Sequence, residues 1–121
     1  MRGAALAAAV LLATAGLAQA QDQVARGTGA LLRGVDKVDG DVVDVTLAAG
    51  EQAEIGRLAV ELGECRYPQG SPGSDAYAYL TIRAVPENAV IFDGWMIASS
   101  PAINALEHPR YDVWVLRCST D

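Results

Sequence analysis

Residues 57–84 read RLAVELGECRYPQGSPGSDAYAYLTIRA, and the pattern of this stretch decides the fold class. Apolar and polar side chains alternate with a period of two on both sides of a loop, which is the signature of half-buried strands. In the first half, Leu58, Val60 and Leu62 face one way and Glu61 the other. Strict alternation would then turn Glu64 inward and Cys65 outward. Gly63 removes the conflict, because a bulge at that glycine shifts the parity and returns Cys65 to the apolar face. In the second half Ala78, Leu80 and Ile82 share one face, and Tyr77, Tyr79, Thr81 and Arg83 the other. The connection between them, Pro68–Asp75 (PQGSPGSD), is dense in turn residues.

The same grammar extends in both directions. Upstream, Ala30–Val38 and Asp41–Leu47 flank Asp39-Gly40, a pair suited to the positive φ of a hairpin turn. Val43, Val45 and Leu47 fall on one face of the second strand, and Gln52–Ile55 forms a short strand between Gly50 and Gly56. Downstream, Ala89–Ile97 and Tyr111–Cys118 read as strands, the last setting Trp114, Leu116 and Cys118 on a common face. Trp95 and Trp114 are both expected in the core. Between these strands Ser100 can cap a helix with Pro101 at its first position; Ile103 and Leu106 share a face, and Pro109 ends it. The expectation is an all-β fold: a small antiparallel β-sandwich or barrel of about seven strands, with one short helical insertion before the last strand.

Composition narrows the function classes. Of 121 residues, 51% are hydrophobic and 20% charged, too apolar for a disordered chain. Nine Lys+Arg against 15 Asp+Glu give a net charge of −6, which argues against binding nucleic acid phosphates. Met1–Ala20 (MRGAALAAAVLLATAGLAQA) reads as a cleavable export signal, with Arg2 before an apolar run and Ala18-Gln19-Ala20 at the cut. Gln21–Gly29 is then a flexible polar lead, and residues 30–121 form a single domain with no expected transmembrane span. Export to an oxidising compartment makes a Cys65–Cys118 disulfide the natural use of the two cysteines. With one histidine in the chain, no metal or cofactor is expected.

Two constellations invite chemistry. Ser99, Ser100, His108 and Asp112 supply the residue types of a Ser-His-Asp hydrolase, but no nucleophile-elbow motif accompanies them and each has a structural use. Asp36, Asp39, Asp41 and Asp44 lack the spacing of a calcium loop and read as a solvated hairpin. Tyr77 and Tyr79 lie opposite Leu80 and Ile82, so they either cover a core or stand exposed to stack on a sugar or anchor a protein.

The string Gly94–Trp114 (GWMIASSPAINALEHPRYDVW) resembles the bacterial exported family called domain of unknown function 2155. Arg57-Leu58, Cys65-Arg66-Tyr67-Pro68 and Ala76-Tyr77-Ala78 are similar to the family's weaker blocks, and the resemblance runs from about Ala30 to Cys118. It implies a small envelope protein and carries no activity. The resulting expectation is a non-catalytic periplasmic accessory or interaction domain of a cell-envelope assembly, its partner an envelope protein. The alternatives are a carbohydrate- or peptidoglycan-binding module and a hydrolase built on Ser100 and His108. The expected binding residues are Trp95, Ser100, His108, Arg110, Tyr111, Tyr77 and Tyr79. Arg110 and His108 are the polar contacts among them, on a segment held in one shape by its prolines.

Overall fold

Strand β5, the 11 residues Leu58–Pro68, is the centre of the larger of two sheets. The computed structural model describes residues 23–121, so the expected export signal lies outside the described residues. Among the described residues eight strands follow one another: β1 (Val24–Arg26), β2 (Gly29–Asp36), β3 (Val42–Ala48), β4 (Gln52–Ile55), β5, β6 (Tyr77–Ala84), β7 (Ala89–Ile97) and β8 (Tyr111–Ser119). One sheet runs β1-β5-β6-β7, with β4 pairing the first half of β5 and β1 its last residues. The other has the order β3-β2-β8. All pairings are antiparallel, and the sheets share one core without closing into a barrel.

The alternation of β5 and β6 is as the sequence predicts. Leu58, Val60, Leu62, Leu80 and Ile82 are fully buried. Leu62 pairs with Leu80 but Glu64 with Tyr79, so Gly63 is the extra residue and Cys65 turns into the core. There it meets Cys118 of β8, with Cα atoms 5.6 Å apart, and the disulfide ties the two sheets together.

Two expectations are corrected. First, β8 carries a bulge of its own: Leu32 pairs with Val115 but Leu31 with Arg117, leaving Leu116 unpaired. Cys118 is held inward by its bridge, so the bulge sends Tyr111, Val113 and Val115 to the core and leaves Trp114 38% exposed. Trp114, Leu116 and Cys118 therefore do not share a face, and Trp114 is not a core residue. Second, the insertion contains no helix among the described residues. Its Ser100-Pro101 start closes one turn, with the Ile103 amide donating to the Ser100 carbonyl at 3.1 Å. A single turn fixes several dihedrals for one bond and does not propagate. Leu106 is drawn into the core while Ile103 stays 72% exposed, so the two share no face. The N-terminal lead contributes a short strand of its own. Val24–Arg26 adds to the edge of β5 at Arg66–Pro68, and the Gly27 amide donates to the Cys65 carbonyl at 2.7 Å.

Candidate functional site

The expected site residues separate into two places. Tyr77, Tyr79 and Trp95 come together on the outer face of the five-stranded sheet. His108, Arg110 and Tyr111 gather at the turn of the β2–β3 hairpin. Ser100 belongs to neither: it lies in the turn after β7, its amide donating to the Ile97 carbonyl at 3.2 Å.

Pairing register builds the outer face row by row, because directly opposed residues in antiparallel strands point the same way. Arg26, Arg66, Tyr77 and Ile97 form one row across β1, β5, β6 and β7. Glu64, Tyr79 and Trp95 form the next, and Glu61, Thr81 and Asp93 the third. Trp95 is thus half-buried on the outside of the sheet and not in the core, while its neighbour Met96 is the one turned inward. The Tyr79 ring meets Trp95 edge-on, with centroids 5.4 Å apart at 76°, and the Arg66 guanidinium lies 5.2 Å from the Trp95 centroid. Such contacts hold the indole in place.

The polar tips are fixed as well. The hydroxyls of Tyr79 and Thr81 both donate to Asp93 Oδ1, at 2.8 and 3.0 Å. That hydrogen bond to the Asp93 carboxylate raises the Tyr79 phenol above its ordinary pKa. Glu64 takes Arg66 on one oxygen at 2.6 Å and Arg26 on the other at 3.0 Å. Between these groups Val24, Arg66, Tyr77, Trp95 and Ile97 enclose a shallow groove of about 280 Å³. A second depression of about 310 Å³, bounded by Gln23, Pro68 and Gln69, adjoins it across Val24 and Tyr77.

The other cluster is a fastening. Arg110 forks onto Asp36 through Nε and Nη2, at 3.1 and 2.9 Å to Oδ2, and reaches Asp39 at 3.3 Å. The Arg110 hydrogen bonds hold the Asp36 carboxyl down at about 2, helped by the Asp39 and Val38 amides and opposed by burial. His108 Nδ1 accepts the amides of Arg110 and Tyr111 at 3.0 and 3.2 Å. Lys37 donates to the His108 carbonyl at 2.6 Å. These bonds engage both expected polar contacts within the chain and strap the end of the insertion to the hairpin.

The hydrolase types do not assemble. The Ser99 hydroxyl donates to Asp75 Oδ2 at 2.7 Å, and among the described residues no hydrogen bond joins Ser99 or Ser100 to His108. Burial pushes the Asp75 carboxyl up, but bonds from the Ser99 hydroxyl, the Ala76 and Ser99 amides and Tyr77 outweigh it and hold it below its ordinary range. Among the described residues, no group of three or more His, Cys, Asp or Glu converges as a metal site would.

Val24, Arg26, Arg66 and Ile97 are the site residues that single-strand reading misses. Alternation places Tyr77 opposite Leu80, but only the cross-strand register shows that Arg66 and Ile97 flank it.

Comparison with known proteins adds the family. No solved structure matches the chain significantly. An uncharacterized protein of Rickettsia prowazekii (strain Madrid E) is 26% identical over 87 residues, covering 69% of this chain and 56% of the relative. The chain thus spans little more than half the length of that relative. The profile described as an uncharacterized protein conserved in bacteria, domain of unknown function 2155, matches residues 30–118, every strand from β3 to β7 and most of β2 and β8. The chain belongs to the domain of unknown function 2155 family.

Proposed function

We propose that this is an exported interaction domain that serves a periplasmic cell-envelope assembly as an accessory, docking a protein partner on the outer face of its five-stranded sheet. The observation that carries the reading is the grouping of Trp95, Tyr77 and Tyr79 with Arg66, Val24 and Ile97 around one groove. Tryptophan, tyrosine and arginine are the residues most often found at the energetic centre of protein interfaces, and a rigid aromatic loses little entropy on binding. A supporting feature is the cross-sheet disulfide, which suits an oxidising compartment.

The test is capture from native envelope extracts with wild-type protein, Trp95→Ala and Val24→Asp as bait. Val24 is 50% exposed, so its substitution leaves the core intact. The reading expects both variants to lose the partner that wild type captures, with melting temperature unchanged for Val24→Asp. Capture that survives both substitutions would refute it.

A further inference from the structure

We propose that the free edge of β3 joins two copies of this chain, their β3 strands running antiparallel about a two-fold axis at Val45, so that the β3-β2-β8 sheets of both copies become one continuous sheet. The inference concerns the smaller sheet and is independent of the groove, which lies on the other sheet and stays open in both copies.

β3 ends the sheet order β3-β2-β8, so its outer side has no strand beside it. The Asp36 amide donates to the Asp41 carbonyl and the Ala49 amide to the Thr28 carbonyl, which fixes the phase of the β2–β3 ladder. In that register Val43, Val45 and Leu47 bond to β2, and the amides and carbonyls of Val42, Asp44, Thr46 and Ala48 point outward. Glu51 takes both groups of Ala48. Those of Val42, Asp44 and Thr46 lie on an exposed stretch, where Val42 and Val43 are 59% and 45% exposed. The other long edges are less open. The groups that β8 turns outward belong to Tyr111, Val113 and Val115, none more than 5% exposed. On β7, Asn104 holds the Trp95 carbonyl and the Ser100 amide the Ile97 carbonyl, and a bulge breaks the first half. Edges are ordinarily defended by a proline, a bulge or a charge. β3 has no proline, and its pairing with β2 runs without a register shift. Its one charge, Asp44, is covered by a fork from Arg33 at 2.8 and 3.0 Å.

The strand complements itself in one register. Antiparallel pairing about Val45 sets Val45 against Val45, Val43 against Leu47 and Val42 against Ala48 of the second copy. Asp44 meets Thr46, and each such pair exchanges two backbone hydrogen bonds, the pair occurring twice by symmetry. A carboxylate has about four lone-pair sites, so Asp44 can accept the Thr46 hydroxyl beside Arg33. Moving the axis to Asp44 opposes two Asp44 carboxylates, which is destabilising. Moving it to Thr46 brings Asp44 against Ala48, whose amide and carbonyl Glu51 already holds. Moving it to Val43 sets Thr46 against Gly40, in the hairpin turn at φ +79 and outside the strand.

The experiment follows the exported protein by sedimentation and by NMR amide exchange over a concentration series. The expected result is a dimer that dissociates on dilution. The Asp44 and Thr46 amides should be protected at high concentration and exposed at low, with those of Val43 and Val45 protected throughout. Thr46→Pro removes an outward amide that β2 does not use, so the fold is kept and the dimer is lost. Thr46→Asp sets a carboxylate against Asp44 in both pairs and should weaken dimerisation about tenfold, whereas Thr46→Lys should not weaken it. Val24→Asp, at the groove, should leave the dimer unchanged. A monomer at every concentration would overturn the proposal, as would a dimer that Thr46→Pro and Thr46→Asp leave intact or that Val24→Asp dissolves. Equal effects of Thr46→Asp and Thr46→Lys would overturn the register and with it the axis at Val45. If the chain is monomeric and Thr46→Asp instead releases an envelope protein, the edge takes a foreign strand and the second copy is refuted.

Discussion

Replacing both cysteines, Cys65→Ala with Cys118→Ala, removes the disulfide cross-link between the sheets. The bridge closes a sequence separation of 53 residues. By the chain-entropy relation, releasing such a loop gives the unfolded state about 4 kcal/mol of freedom. Both positions lie in the core, Cys65 fully buried and Cys118 5% exposed, so truncation also leaves small voids and the loss should not be less. A domain of this size holds about 5–15 kcal/mol in total, so the variant loses between a quarter and most of it. At roughly 4–8 °C per kcal/mol, the melting temperature should fall by about 15–30 °C. Urea titrations of the oxidised wild type and the double variant measure the difference directly. The slope should also steepen, because an uncrosslinked chain exposes more surface on unfolding. A loss below about 1 kcal/mol would refute the reasoning, since the bridge would then restrict little of the unfolded ensemble.

Other outcomes follow from single contacts. Gly29→Ala should lower stability by about 1–3 kcal/mol in the same titration, because a Cβ there runs into the Leu47 carbonyl oxygen and comes within 2.9 Å of the Ala48 Cα; an unchanged midpoint contradicts this. Asp36 has a folded pKa of about 2 against an ordinary 3.8. Its contribution is therefore present above the ordinary value and lost as pH falls toward 2, so Asp36→Asn should flatten the acid limb of stability against pH. An identical acid limb counts against the Arg110–Asp36 fastening. Asn104 donates to the outward Trp95 carbonyl at 2.8 Å and so covers part of the free β7 edge. Asn104→Ala should raise light scattering on heating, because an uncovered edge recruits other strands.

How far the sequence discloses this molecule depends on where its irregularities are marked. Gly63 sits where alternation breaks, so the bulge that brings Cys65 to Cys118 can be read from the residues. The bulge at Leu116 has no glycine or proline beside it. Period-two reading therefore runs through it and puts Trp114 inside. The hairpin turn is recognisable from Asp39-Gly40, but its strands stop earlier than expected. Asp36 Oδ1 accepts the Val38 and Asp39 amides, which draws the chain into a longer loop ending at Gly40, φ +79. Ser100-Pro101 reads as a helix start, and nothing in the residues reveals that no helix follows. The candidate site is legible only in halves. Tyr77 and Tyr79 share a face from spacing alone, whereas Arg26, Arg66, Trp95 and Ile97 join them through register among four strands.

The central claim is that the outer face of the five-stranded sheet contacts a partner in the cell, and site-specific photo-crosslinking tests it most directly. A photoreactive phenylalanine analogue at Ile97, in the groove, is compared with one at Trp114, exposed on the other sheet. Each variant is irradiated in the living host. A discrete crosslinked protein from position 97 and none from position 114 is the predicted result. A crosslink from position 114 with nothing from position 97 would contradict the account, because contact would then lie on the opposite sheet.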